Sequence, residues 1–389
     1  LESRSGRFEV TTVGGEAVRA FVPAPLPPVP PIAWSAPDLD LLGRADRAIG
    51  RLEGRTALLP DTALFVYMYI RKEAVLSSQI EGTQSSLSDL LLHETAEVPG
   101  VPLDDLVEVS NYISAMTHGL DRLREGFPLS LRLIREIHEV LLAKGRGNTK
   151  EPGEFRRTQN WIGGTRPGNA QYVPPPPHLV MECLDPFEKF LHDEPERLPL
   201  LVKAALAHAQ FETIHPFLDG NGRVGRLLIT LLLCSERALS EPVLYLSLYF
   251  KTNRAEYYDC LQRVRTEGAW EDWLRFFLRG VIETAEQAAE TAQSTMRLFD
   301  EHRAEIQNLG KKTGSAILVH HVLQKHPLIT IKKAAGITRL SEPTVAACFE
   351  AFTDLGWLKE TTGLQRRRVF AYVPYVELLT EGTETTAAR

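Results

Sequence analysis

From "DLDLLGRADRAIGRLEGRTALL" onward, apolar residues recur at i, i+3, i+4 and i+7, the period of helices packed on one face. That periodicity commits most of the chain to a mainly α-helical fold, so the places where it breaks are informative. The sharpest break is "IHPFLDGNGRVGR", Ile214 to Arg226, set between two strongly apolar segments, "LPLLVKAALAHAQFETI" and "RLLITLLLC". It gathers a histidine, an aspartate, an asparagine, three glycines and two arginines. Ending one helix and capping the next needs one or two such residues, so the set calls for another explanation.

Phosphate supplies it. A Gly-Asn-Gly run lets successive backbone N–H groups converge on one point as an anion nest. The run feeds the N-terminus of the following helix, whose dipole and unpaired N–H groups also favour an anion. Arg223 and Arg226 are three apart and share a face, and their forked donors match phosphate oxygens. Asp219 is a hard oxygen ligand of the kind that holds Mg²⁺ shared with a nucleotide. His215, at the end of the preceding helix, is suited to act as a base near neutral pH.

Around this loop the chain divides into regions. Residues 1–35 include "FVPAPLPPVPPIAW", which predicts an extended surface segment. "TALFVYMYIRKEAVLSSQIEGTQSSLSDLLLHE" predicts one or two helices with a polar interruption at "SSQIEGTQSS", and residues 104–145 predict two more. "NWIGGTRPGNAQYV" predicts a short hairpin with glycine turns. A last helical block ends near "EHRAEIQ". Beyond "NLGKKTGS" come three short helices and a two-stranded ribbon turning at Thr362-Gly363, the order of a winged helix. The expected domains are an N-terminal region 1–103, a catalytic core 104–290 and a winged-helix domain 311–375. At 389 residues the chain exceeds one typical core.

Composition excludes some classes. A formal charge of -6 gives no global attraction to nucleic acid or anionic lipid. No stretch approaches the ~20 apolar residues of a membrane helix, and the N-terminus lacks a signal-peptide pattern. Cys183, Cys234, Cys260 and Cys348 show no CxxC spacing, which suggests neither zinc nor disulfides and fits a reduced, cytoplasmic setting.

The loop resembles the Fic-domain signature HPFx[DE]GNGRxxR, which "HPFLDGNGRVGR" matches at every specified position. The resemblance implies a Fic-type helical core with a β-hairpin flap that transfers AMP from ATP to a Ser, Thr or Tyr hydroxyl of a target protein. It implies His215 as the base and Asp219 as the Mg²⁺ ligand. The N–H groups around Gly220, Asn221 and Gly222 would cradle phosphates with the Asn221 side chain helping, and Gly225 would join the nucleotide-binding set. Arg223 would meet the β-phosphate and Arg226 the γ-phosphate, with Pro216 and Phe217 shaping the loop. "NWIGGTRPGNAQYV" resembles the family's flap, with Ile162 and Gly163 near substrate, and "EYYDCLQ" resembles its base-pocket segment, with Tyr258 at the base. "SSQIEG" matches the family's inhibitory pattern [ST]xxxE[GN] through Ser77, Glu81 and Gly82, implying that Glu81 occupies the γ-phosphate's place on Arg226.

Family members often form homodimers, and some relatives remove AMP or transfer another nucleotide or a phosphate. The rival from another class is a DNA-binding regulator whose Fic domain senses nucleotide. Against it, "SEPTVAACFEAFTDLG" carries Glu342, Glu350 and Asp354 with no Lys or Arg, whereas the major groove needs phosphate charge offset. Arg366, Arg367 and Arg368 on the wing and two lysines in "TIKKAAG" leave DNA open. Target recruitment, dimerisation or self-regulation is the stronger expectation for this domain.

Overall fold

A computed structural model describes residues 4–57, 62–93, 103–145, 147–363, 368–381 and 383. It begins with an antiparallel hairpin, β1 (Gly6–Val13) and β2 (Glu16–Pro23), closed by Gly14 and Gly15 at φ +59° and +86°. Two positive φ values in a two-residue loop match the right-handed twist of the strands. The sequence reading, which expected an extended segment at the proline-rich stretch, did not include this hairpin. The missed signal was the Gly-Gly pair between two strand-like runs, "RFEVTTV" and "EAVRAFV".

Helices follow: α1 (Ala36–Ala57), α2 (Thr62–Ile80), α3 (Leu87–His93), α4 (Leu103–Arg124), α5 (Leu131–Leu141), α6 (Val180–Leu191), α7 (Leu200–Ile214), α8 (Asn221–Ser235), α9 (Ser247–Thr252), α10 (Arg254–Glu267) and α11 (Trp270–Ile306). The centre belongs to α7 and α8. Every residue from Leu201 to Ile214 is buried, as is nearly all of α8, because neither sequence offers a polar face to water. Lys203 tolerates this position through bonds from Nζ to Asp193 and Glu236 at 2.7 and 3.1 Å. α6, α10 and α11 pack against α7, while α2, α4 and α5 pack against α8. Phe250, Tyr257, Trp273, Phe276 and Phe277 form an aromatic cluster beside α7, and Trp273 Nε1 donates to Ala205 O at 2.8 Å.

The segment expected as a hairpin is reduced to one antiparallel bridge, Ile162 with Tyr172, with a 3₁₀ turn at Pro167–Asn169. Gly163 and Gly164 at φ +68° and +74° turn the chain at once, and Pro167 has no N–H for a ladder.

Helix α11 runs 37 residues along α1 without a break, so residue 290 lies in mid-helix. After it come α12 (Thr313–Lys325), β3 (Leu328–Thr330), α13 (Ile331–Thr338), α14 (Glu342–Asp354), β4 (Leu358–Glu360), β5 (Val369–Tyr372) and α15 (Val373–Thr380). The strands form an antiparallel sheet of order β3–β5–β4. Strand β3 and helix α15 had no counterpart in the sequence reading. Arg366 and Arg367 fall outside the described residues, while Arg368 lies 5.6 Å from the Phe370 ring centroid. His302 of α11 stacks on Trp357 at 3.8 Å and 6° and meets the Tyr372 hydroxyl at 2.6 Å, which joins this unit to α11. Among the described residues, no helix is long and apolar enough to cross a membrane.

Phe250 is fully buried within the aromatic cluster. Its replacement by alanine is expected to cost about 3–5 kcal/mol, read as a lower urea midpoint of the tryptophan fluorescence transition.

Candidate active site

The loop between α7 and α8 takes its shape from its own backbone. His215 ends α7 in the left-handed region, φ 49° and ψ 60°, a conformation few non-glycine residues adopt. Its N–H still donates to Phe211 O at 2.9 Å, and its carbonyl accepts from Arg156 Nε at 2.9 Å. Gly220, at φ 77°, opens α8. Strain concentrated at a histidine beside a helix N-terminus persists only where neighbours over-determine it.

Neighbouring side chains supply that restraint. Buried Arg156 holds the carbonyls of His215 and Pro175 with its guanidinium, and its backbone N–H donates to Pro216 O. His138 lies flat on Phe217, centroids 3.7 Å apart and planes at 7°. Its Nδ1 accepts from Gly153 N at 2.9 Å, so Nε2 carries the proton and donates to Asp219 O at 3.0 Å. Asn160 Nδ2 donates to Phe217 O at 3.0 Å. None of these three appeared in the sequence reading, since nothing local separates Arg156 from Arg157 or His138 from any histidine on an amphipathic helix.

Some expected roles change. The Asn221 side chain is buried and doubly bonded to Phe217, accepting from its N–H and donating to its carbonyl, both at 2.8 Å. It staples the loop and leaves only a backbone N–H for a phosphate. Gly225 turns toward α7: a Cβ there would lie 2.6 Å from Glu212 Oε1, and its carbonyl meets His208 Nδ1 at 2.9 Å. Gly225 therefore serves the packing of α8 on α7. Arg223 is buried and pairs with Glu108 of α4 at 3.2 Å, a partner the sequence reading lacked.

Other expected residues converge. Arg226 Nε donates to Ser77 Oγ at 2.8 Å, and Nη2 donates to Ser77 O at 3.0 Å and Glu81 Oε1 at 2.6 Å. Gly222 is what lets Glu81 in, because a Cβ there would stand 2.3 Å from Glu81 Oε1. Gly82, at φ 104°, turns the chain away after Glu81. Burial alone would raise the Glu81 carboxyl, but the Arg226 charge and hydrogen bond, with Arg223 behind, bring it below its ordinary value. Glu73 and Glu212, also near Arg226, are pushed up to about 7 by burial.

Asp219 keeps a partly exposed carboxylate whose Oδ1 accepts from Gly220 N at 2.6 Å. Among the described residues, no group of three or more His, Cys, Asp or Glu side chains could hold a metal. A lone accessible carboxylate beside a phosphate nest fits Mg²⁺ completed by nucleotide oxygens and water. Tyr258 is 43% exposed with Arg254 near its ring, whereas Tyr257 is buried and bonded to His208. Ile162 forms the flap's one bridge, and the Gly163 turn is crowded by Gln171. The flap is tied down by Tyr172, whose hydroxyl donates to Thr213 O at 2.6 Å.

Comparison with known proteins agrees with this geometry. Residues 39–121 match the Fic/DOC family N-terminal region, and residues 128–233 match the Fic/DOC family. Over 201 residues the chain is 35% identical to a protein named Protein adenylyltransferase Fic from Culex quinquefasciatus and 36% identical to one of the same name from Aedes aegypti. Each match covers 51% of this chain and 37% of the relative, so the chain spans well under half the length of the curated relatives it matches. A crystal structure of a Fic family protein from Desulfovibrio desulfuricans G20 is similar in fold, with a TM-score of 0.57 and 19% identity over 88% of this chain and 98% of that one.

Burial pushes the His215 ring down to about 3, helped by the charges of Arg156 and Arg265. A lowered histidine pKa keeps the ring neutral as pH falls through its ordinary value near 6.5. Histidine-labelled NMR titration is expected to show His215 neutral from pH 8 to about 4.5, and a midpoint near 6.5 would contradict the sheltered ring.

Proposed function

The chain carries the Fic/DOC family N-terminal region and the Fic/DOC family domain, and on that premise we propose a protein adenylyltransferase restrained by its own Glu81. It moves AMP from ATP to a Ser, Thr or Tyr hydroxyl of a target protein and releases pyrophosphate. The observation that carries the reading is the Arg226–Glu81 pair at the N-terminus of α8, one loop away from His215.

In this reading the backbone N–H groups of Gly220, Asn221 and Gly222 and the α8 dipole hold the phosphates. Arg223 meets the β-phosphate, and Arg226, once released by Glu81, meets the γ-phosphate. Asp219 would hold Mg²⁺, which supplies charge neutralisation when bound. Tyr258 lies against the base, and the flap around Ile162 and Gly163 presents the target segment by strand addition. His215 takes the hydroxyl proton as that oxygen bonds to the α-phosphorus and the bond to pyrophosphate breaks. The neutral ring is the form that can accept it. Its Nδ1 has no hydrogen-bond partner among the described residues.

With Glu81 seated, ATP cannot place its γ-phosphate on Arg226 and binds unproductively. The order helix, strand, helix, helix, strand, strand from α12 to β5 supports a winged-helix reading of the C-terminal unit. The acidic α14 favours a regulatory or recruiting role for it over DNA.

The test is a gel after incubation with Mg²⁺ and α-labelled ATP, with cell lysate as a source of targets. Glu81→Gly should label strongly and wild type faintly. Adding His215→Ala to Glu81→Gly should remove about 10²–10⁴-fold of the rate while ATP still binds. Glu81→Gly/Arg226→Ala should weaken both labelling and ATP affinity. Label retained without His215 would remove it as the base, and no label from any variant would overturn AMP transfer.

A further inference from the structure

Helix α2 and the turn that ends it present Glu73, Ser77 and Glu81 at four-residue spacing, hence on one face, toward Arg226 and its surroundings. On that same side, Tyr112 of α4 and Ser247 at the start of α9 bond Glu73. Lys72 and Gln79 are seven residues apart and lie on the opposite side of the helix. That side is covered by the last described residues of the chain. Leu379 of α15 lines one pocket with Met68, Tyr69 and Lys72 of α2 and Thr291 of α11. Tyr375, Leu379 and Thr383 are buried, and α15 packs on α2, α3 and α11.

The contact nearest the brake is polar. Gln79 Nε2 donates to Ser85 O at 2.8 Å and to Thr383 O at 3.0 Å. One amide thus ties the turn that follows Glu81 to the C-terminal segment. Thr383 is itself fixed, its N–H and hydroxyl both donating to Thr380 O at 2.8 Å. A carboxylate can compete with a γ-phosphate only while its helix is held in register. Losing the back support would let the last turn of α2 fray, as helix ends do when their packing is removed. Lys72 is buried, with Nζ 4.5 Å from the Tyr245 ring centroid; its side of α2 therefore resists exposure to water less than an apolar surface would.

We propose that Gln79 and the C-terminal residues it packs with, 373–381 and Thr383, are positioning elements for Glu81: this part of the C-terminal unit clamps the back of α2 and sets how firmly the brake engages. The proposal rests on the reading of Glu81 as an inhibitor. It also gives the C-terminal unit a physical route to the active site, since whatever displaces α15 loosens α2.

The test uses the full chain with Leu379→Ala and Gln79→Met, each in the wild-type and Glu81→Gly backgrounds, with circular dichroism melts to establish folding. Gln79→Met keeps helix propensity and removes only the amide, so it decides the matter if Leu379→Ala unfolds. Amide exchange over residues 76–86 should quicken about tenfold in either variant. Labelling from α-labelled ATP should rise about fivefold in the wild-type background and not at all in the Glu81→Gly background. Unchanged exchange over 76–86, faster exchange without more labelling in the wild-type background, or an equal labelling gain in both backgrounds would overturn the clamp. If Glu81→Gly itself transfers no label, the transferase reading fails, and the exchange measurement alone decides whether the segment holds α2.

Discussion

Arg226 is a permanent positive charge beneath the start of α8 and almost out of contact with water. A buried guanidinium cannot shed its proton, so it needs an anion at all times. Glu81 fills that need from within the chain at 2.6 Å, with the Ser77 hydroxyl and carbonyl accepting from Nε and Nη2. Much of the surrounding structure follows from this demand. Gly222 has no side chain because Glu81 lies where one would be, and α2 crosses α8 so that Ser77 and Glu81, one turn apart, reach the same guanidinium. A γ-phosphate would satisfy the same charge, which makes the two anions competitors for one place.

The loop in front of that charge is held by its carbonyls. His138, Arg156, Asn160 and Asn221 each bond a main-chain oxygen between His215 and Asp219. Backbone acceptors in a sheltered turn require partners, and these four side chains supply them. Neutral histidines suit this work. His138 must accept with one nitrogen and donate with the other, which a protonated ring cannot do, and burial pushes it down to about 4.

The helical architecture and the position of the polar loop were legible because both follow local rules. Helix period appears within a turn or two, and the polar loop stands out against two apolar helices. The pairing of Glu81 with Arg226 was legible for the same reason, as Ser77, Glu81 and Gly82 form one short pattern. What stayed hidden depends on distance along the chain. Glu108 meets Arg223 across 115 residues, and Gln79 meets Thr383 across 304. The inward facing of the Asn221 side chain and of Gly225 stayed hidden because a motif residue can serve the loop's own packing as readily as a ligand, and sequence does not say which way it faces. The hairpin β1–β2 was legible in principle, but the proline tract behind it drew attention from the Gly-Gly turn.

Competition for Arg226 can be measured without any catalysis. Calorimetry of ATP and ADP binding to wild type and to Glu81→Gly isolates the γ-phosphate, which ADP lacks. The account predicts that removing Glu81 tightens ATP by about tenfold or more, roughly 1.4 kcal/mol, and leaves ADP nearly unchanged. Equal changes for both nucleotides, or none for either, would show that Glu81 and the γ-phosphate do not share Arg226.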